Sequence, residues 1–385
     1  MVQYTILVKG CVALEITVAA KIKINPKPEE IRLLQETLNA YKKACNFVST
    51  VVFNTKNLSQ ASLHKVTYQA LRSDYAMRSQ MAQSVMKTVI ARYRSTISNG
   101  HNWTRIKFQK PEYDLVWNRD YSLTAGLFSV NTLDGRIKVL FEIEAMEQYF
   151  DGTWFFGTVK LVNKYGKFFL HIPMTKEVKE AELADIRQVV GVDMGANFLA
   201  TTYDSQGKTT FFNGRDIKHK RAKYKRLRKQ LQQKQTSSAR QRLKKIGQRE
   251  TRWMTNVNHQ ISKALVDRYG QNTLLVVENL TGIRAATEKV RVKDRYVTVS
   301  WAFYQLRQML EYKAALHEAK VIAVDPKHTS QACPKCGHTE KANRNKKKHL
   351  LCCKTCGYTS NDDRIGAMNL QQKGIEYIVA AATGA

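Results

Sequence analysis

The chain has 385 residues, enough for two or three domains that each bury a core, and its 43% hydrophobic and 25% charged residues are the balance of a folded protein, not a solvated tail. Sixty-three Lys and Arg against 32 Asp and Glu leave a formal charge of +31, which a compact surface tolerates best when a polyanion shares it, and nucleic acid is the polyanion expected. There is no run long and apolar enough to span a membrane, and Lys9 and Glu15 interrupt the apolar N-terminal stretch, so neither a membrane partner nor a secretory signal is expected and the cytoplasm is the expected location.

Residues 4–24 are rich in Val, Ile and Thr and read as one or two strands, closed by Asn25-Pro26-Lys27-Pro28. Leu33, Leu34, Thr37, Leu38, Tyr41, Ala44, Cys45 and Val48 then recur at intervals of three and four, which predicts an amphipathic helix over 29–53 with acids in its first turn. Residues 62–97 continue as a helical region in which Arg72, Arg78, Lys87, Arg92 and Arg94 accompany an apolar stripe; one face suits a core and the other suits phosphate. From 120 to 174 the pattern changes to short β-type runs, including 156–162 and 167–173 around the turn Asn163-Lys164-Tyr165-Gly166. These are expected to form a small barrel that the helices interrupt, with strands from both sides of the insertion, and the charged stretch 176–188 links it to the second half.

The second half opens on Val189-Val190-Gly191-Val192-Asp193-Met194-Gly195, an apolar strand ending in an acid, and 199–203 and 209–212 complete three consecutive antiparallel strands. Residues 215–252 hold 16 Lys or Arg against two acids, with a thin seam of Leu227, Leu231, Leu243 and Ile246; they predict a basic helical hairpin broken near Thr236-Ser237-Ser238. A separate helix over 258–269 and a buried strand over 273–279 follow.

Three acids stand out by position. Asp193 ends one apolar strand, Glu278 ends another, Leu274-Leu275-Val276-Val277, and Asp363 opens a helix expected over 363–371. A carboxylate at the end of a buried strand is costly without a cation. Taken singly, each reads as well as a strand-end cap or surface acid as it does as a metal ligand. In the order strand, strand, helix they make an RNase H-like constellation, and three converging carboxylates are what a two-metal phosphodiester hydrolase needs to hold two magnesium ions. Asp362 competes with its neighbour; Asp363 is the expected ligand and Asp362 the expected helix N-cap.

Cys333-Pro334-Lys335-Cys336-Gly337 and Cys353-Lys354-Thr355-Cys356-Gly357 are two CxxC knuckles separated by 16 residues, a spacing that suits one tetrahedral structural zinc in a ribbon. Cys352 offers an alternative to Cys353, against which the repeated CxxC-Gly pattern argues, and Cys11 and Cys45 stand apart. Lys341, Arg344, Lys346, Lys347 and Lys348 flank the knuckles and are expected to meet nucleic acid. His259 and His328 are within reach of the acids only if the fold brings them there, and a structural role is the expected one for both. Tyr68, Tyr93, Trp103, Trp117 and Trp154 could stack on bases, but core packing is the commoner fate of such residues.

Gly191-Val192-Asp193-Met194-Gly195, Val277-Glu278-Asn279-Leu280, Thr329-Ser330-Gln331-Ala332-Cys333-Pro334-Lys335-Cys336-Gly337 and Asp363-Arg364-Ile365-Gly366-Ala367-Met368-Asn369 together resemble the TnpB family of transposon-encoded, RNA-guided nucleases, relatives of the compact type V CRISPR effectors. The likeness is strongest over 188–371, where Ser300-Trp301 and Leu310-Glu311-Tyr312-Lys313-Ala314 add to it. It implies Asp193, Glu278 and Asp363 as catalytic magnesium ligands, Cys333, Cys336, Cys353 and Cys356 as zinc ligands, a transposon-end guide RNA, and cleavage of double-stranded DNA beside a short adjacent motif. A monomer is expected. Gly366 departs from the alanine usual in the family, which weakens its helix, and the residues before Lys21 read as an extra extension. The expected fold is α+β and multi-domain: a β-barrel of 1–28 and 120–180, a helical domain of 29–119, an RNase H-like (RuvC) domain of 188–325 and 357–385, and a zinc ribbon of 326–356 inserted in it.

Overall fold

The computed structural model describes residues 3–9, 13–110, 112–124, 126–142, 144, 147–179, 181–195, 197–279 and 301–383; Cys11, Leu280 and Ser300 lie outside the described residues. The chain divides into two compact units, one built chiefly of residues 15–177 and the other chiefly of 178–385.

The N-terminal unit begins with β1 (Gln3–Lys9) and β2 (Ala13–Asn25), continues through α1 (Pro28–Thr55), α2 (Gln60–Ser73) and α3 (Ser79–Ser98), and ends in β3 (Glu112–Leu115), β4 (Tyr121–Thr124), β5 (Leu127–Thr132), β6 (Gly135–Phe141), β7 (Phe155–Phe156), β8 (Val159–Lys164) and β9 (Lys167–Lys179). Its sheet runs β3-β8-β9-β2-β6-β5-β4, with β1 on β2 and β7 on β9. The two end strands are neighbours in sequence, joined by the turn at 116–120, so the sheet is nearly closed and barrel-like. The expected interruption is therefore seen, since β2 precedes the helices and its partners β6 and β9 follow them. Leu14, Ile16, Val18, Ala20, Ile22 and Ile24 are buried in alternation, the period of a strand with one face in a core, so residues 13–20 are part of the sheet, as the barrel of 1–28 and 120–180 expects. The strand β3 also carries the sheet back past the expected boundary at 120. The helical region consists of two helices, α2 and α3. Pro28 at its first turn and the Lys27 N–H donating to the Glu30 carboxylate (2.7 Å) start α1. Tyr41 to Thr88 (2.9 Å) and Ser49 to Tyr93 (3.1 Å) tie α1 to α3 inside the core.

The second unit contains β10 (Gln188–Asp193), β11 (Phe198–Tyr203), β12 (Thr209–Asn213), α4 (Arg215–Lys234), α5 (Ser237–Tyr269), β13 (Thr273–Glu278), α6 (Trp301–Leu316), β14 (Lys320–Val324), β15 (Arg344–Asn345), β16 (Leu350–Cys352), β17 (Thr359–Asn361) and α7 (Asp362–Thr383). Its main sheet has the order β12-β11-β10-β13-β14, antiparallel through β10 and parallel from β10 to β14. Both faces of the central strands are covered, which is why they read as unbroken apolar runs. Val190, Val192, Leu275 and Val277 pack with Leu265, Leu306 and Leu310 of α5 and α6; Val189, Leu274 and Val276 pack with Leu370 of α7. The helix expected over 258–269 is the end of a continuous α5, capped at Thr236, whose hydroxyl accepts the Ala239 N–H (3.2 Å). The basic hairpin is α4 with the first half of α5, joined by a small core of Leu231, Ala239 and Ile246. The strands β15, β16 and β17 form a separate small sheet that runs on past residue 356 into α7.

Candidate functional site

Strand parity builds the site. Positions 189, 191 and 193 of β10 face α7, as do 274, 276 and 278 of β13, because successive residues alternate faces. In the parallel pairing Val192 lies opposite Val277, so one step on, Asp193 and Glu278 stand side by side at the carboxyl ends of neighbouring strands. Asp363 is in the first turn of α7, which crosses above them. A Cβ on Gly366 would lie 2.9 Å from Asp193 Oδ2, and one on Gly195 would lie 3.9 Å from Asp363 Oδ1. The three acids singled out in the sequence thus lie near enough for the charges of Glu278 and Asp363 to act on Asp193.

Their electrostatics are those of a negative cluster short of water. The Asp193 carboxyl is pushed well above the usual carboxylate range, first by burial and then by the charges of Glu278 and Asp363. Burial likewise raises Glu278, opposed by the Thr329 hydroxyl, which donates to its Oε1 (2.6 Å). Asp363 is raised by burial and by the neighbouring Asp362. Its Oδ2 is buried and has no hydrogen-bond partner. A buried carboxylate oxygen without a donor is a costly arrangement that a cation would relieve, and the donor set is all carboxylate, as hard divalent cations require.

Asp362 has a different position from the one expected. The N-cap of α7 is Asn361, whose Oδ1 accepts the N–H groups of Asp363 (3.0 Å) and Arg364 (3.1 Å). Asp362 is 1% exposed and accepts from Arg344 Nε (2.9 Å). Arg344 also donates to Ser330 (2.8 Å), so it is engaged inside the unit, and its charge opposes the rise of all three carboxyls. Sequence reading placed it only among the ribbon's outward cations. The contacts of the described residues do not bring His259 or His328 to the acids; the His259 carbonyl accepts from Lys313 (2.7 Å) and its ring is lowered to about 4, chiefly by burial. The aromatics are mostly packed: Tyr93 and Trp154 are buried, the Trp103 indole donates to the Phe53 carbonyl (3.2 Å), and Trp117 stacks on Phe156.

The sulfur atoms of Cys333, Cys336, Cys353 and Cys356 all lie within 4.8 Å of one another, and Cys352 is not in the group. Cys333 to Cys356 and Cys336 to Cys353 are each 3.6 Å apart, far longer than a disulfide of about 2.05 Å and close to the edge of a tetrahedron with metal–sulfur bonds of about 2.3 Å. The knuckles repeat one geometry: Gly337 (φ 75°) and Gly357 (φ 70°) are left-handed and donate to the Cys333 and Cys353 carbonyls, while the N–H groups of Cys333 and Cys353 reach the carbonyls of His338 and Tyr358. Four thiols so placed can hold one metal ion. The acids, the cysteines and the hairpin were legible in the sequence; Thr329, Arg344 and Asn369 were not, although Thr329 and Asn369 stand inside the motifs.

Two family models match the chain: OrfB_IS605, a probable transposase, over residues 171–284, and the Cas12f1-like TNB domain over 303–370. The chain is 27% identical over 282 residues to a CRISPR-associated endodeoxyribonuclease Cas12f1 of Syntrophomonas palmitatica, covering 67% of this chain and 55% of that protein. It is 28% identical over 233 residues to the Cas12f1 of Sulfoacidibacillus thermotolerans, covering 57% and 53%. To a TnpB-like protein of Methanocaldococcus jannaschii it is 28% identical over 210 residues, covering 52% and 73%. The chain spans little more than half the length of the two Cas12f1 proteins. No helix among the described residues is long and apolar enough to cross a membrane.

Proposed function

We propose, for this TnpB-like chain, the activity of an RNA-guided DNA endonuclease that hydrolyses phosphodiesters of double-stranded DNA, with the second unit as an RNase H-like nuclease domain. The observation that carries this reading is the convergence of Asp193, Glu278 and Asp363 on one face of the sheet in a strongly basic protein. These three residues would hold divalent ions, magnesium by the family likeness, which when bound supply an activated water and stabilise the leaving oxygen. The chain's own part is positional. Strand ends and a helix start fix the carboxylates, Thr329 orients Glu278, and the Arg344 charge partly offsets the mutual repulsion of the cluster. Cys333, Cys336, Cys353 and Cys356 would hold one structural zinc. The α4–α5 hairpin offers its cations to phosphates, while base pairing with a guide RNA would supply sequence specificity.

The test is to sequence the RNA that co-purifies with the chain and to challenge that complex with plasmid DNA, with and without magnesium. One defined RNA and magnesium-dependent cutting are expected, lost in Asp193→Ala with nucleic-acid binding retained. Heterogeneous RNA without cutting would replace the reading by a general nucleic-acid binder, and cutting by Asp193→Ala would remove the triad. The match to the Cas12f1-like TNB domain favours one second reading in the same class, a compact CRISPR effector; a repeat-derived RNA in the co-purified pool would select it. A nuclease-inactive repressor is disfavoured by the three acids being present.

A further inference from the structure

The turn that leads from β14 into the first cysteine knuckle is clamped to α7 at four carbonyls. Lys373 Nζ donates to the carbonyls of Asp325 (2.6 Å) and Lys327 (3.2 Å). Asn369 Nδ2, one helical turn earlier, donates to those of Thr329 (2.7 Å) and Ala332 (2.9 Å). Cys333 follows directly, and it packs with Leu351, Cys353 and Ile365 of α7 in one small core. Held in this way, the turn presents a single buried hydroxyl, Thr329 Oγ1, to Glu278 Oε1 at 2.6 Å. The Pro326 carbonyl, 2.9 Å away, competes for the same proton, but a carboxylate is the stronger acceptor and the contact is shorter.

We propose that Thr329 is a positioning residue for Glu278, and that Asn369 fixes it there, so that the cysteine knuckle and the carboxylate cluster are set by one segment of chain. The inference rests on the reading of Asp193, Glu278 and Asp363 as a metal-holding site. Its physical content is that a carboxylate rotating freely at a strand end spends only part of its time in the orientation that serves a cation, and one charge-assisted hydrogen bond restricts it. Partners of this kind are worth about 10–100-fold in metal affinity.

The experiment is calorimetric titration of the full chain with Mn2+, with zinc content and melting temperature measured on the same preparations. Thr329→Val keeps the side chain's shape and removes the hydroxyl; it is expected to weaken Mn2+ binding by about 10–100-fold while zinc per chain stays at the wild-type value. Thr329→Ser restores the hydroxyl and is expected to restore the affinity. Asn369→Ala, which frees the turn but keeps the hydroxyl, is expected to give a smaller loss of the same kind. Wild-type affinity in Thr329→Val, beside a clear loss in Asp193→Ala, would overturn the proposal and leave the metal site standing. Loss of zinc together with Mn2+ in Thr329→Val, not recovered in Thr329→Ser, would overturn it in favour of a folding role for the turn. Wild-type and Asp193→Ala chains that bind Mn2+ equally would remove the carboxylate site itself, and the proposal with it.

Discussion

Gly366 sits against Asp193 so closely that a Cβ at 366 would lie 2.9 Å from Asp193 Oδ2 and 3.0 Å from its Cγ. The glycine therefore does more than loosen a helix. It lets the first turns of α7 settle onto the end of β10 with the carboxylate between them, which leaves Asp193 half-buried. Two further glycines make the approach possible along the strand: a Cβ on Gly191 would come within 1.9 Å of the Ala367 carbonyl oxygen, and one on Gly374 within 2.4 Å of Val276 Cγ2.

The two substitutions Gly191→Ala and Gly366→Ala are predicted to differ in kind. At 191 the obstacle is helix backbone, which cannot turn aside, so α7 must shift; overpacking of this sort costs about 1–3 kcal/mol, or roughly 2–4 °C in melting temperature for each kcal/mol in a unit of this size. At 366 the obstacle is the end of a side chain, and the gain in helix propensity of up to about 1 kcal/mol works the other way. Thermal unfolding should show the loss in Gly191→Ala and little change in Gly366→Ala, whose effect appears instead in divalent-metal dependence. Equal melting of the two would contradict this account of α7.

The carboxylate cluster should make stability fall as pH rises when no divalent metal is present. Asp193, Glu278 and Asp363 all bind protons more tightly folded than unfolded. Above the unfolded carboxylate range, near pH 4, the native state therefore holds the extra protons, and stability declines with pH until the native groups have ionised. In magnesium-free buffer, Asp193→Asn is expected to melt above wild type, by more at pH 8 than at pH 5, and magnesium should shrink the difference. A variant that melts no higher than wild type at pH 8 would sink this prediction.

What the sequence disclosed and what it hid have physical causes. Strands β10 and β13 were readable because both faces are covered and their acids interrupt an otherwise apolar run. The continuity of α5 was not, because the helix changes partners along its length. Its first half has only the thin hairpin core of Ala239 and Ile246, while Met254, Val257, Ile261 and Leu265 join the main core, so one helix shows two apolar patterns. Asn361 was overlooked as a cap because two acids follow it. Gly366 looked like a loss of helix propensity, since its neighbour Asp193 is distant in sequence and nothing local announces the contact.

Removing either end of the cysteine group should release its metal. Cys333→Ser and Cys356→Ser each delete one of four thiols and are expected to lower zinc from one per chain toward none, loosening the core of Cys333, Leu351, Cys353 and Ile365. Cys352→Ser should retain the metal, because Cys352 is exposed on β16 and outside the group. Elemental analysis decides both; zinc kept by the Cys333 and Cys356 variants and lost by the Cys352 variant would reverse the ligand assignment.

The hairpin of α4 and α5 should act through its exposed cations, and salt is the probe. Lys229 and Lys244 are exposed, so truncating them disturbs no core, whereas Arg228 and Glu250 are paired across the two helices and hold the hairpin's own geometry. Each phosphate contact on a duplex contributes a slope of about −0.9 in log affinity against log salt, and about −0.7 on a single strand. The double variant Lys229→Ala with Lys244→Ala is therefore expected to weaken nucleic-acid binding uniformly across sequences and to reduce the salt slope by roughly one to two, with the melting temperature unchanged. Arg228→Ala should instead lower stability as well, because it removes a guanidinium paired with the buried Glu250 carboxylate. If the double lysine variant binds with an unaltered salt slope while remaining folded, the phosphates lie on another face of the second unit and the hairpin's charge serves some other contact.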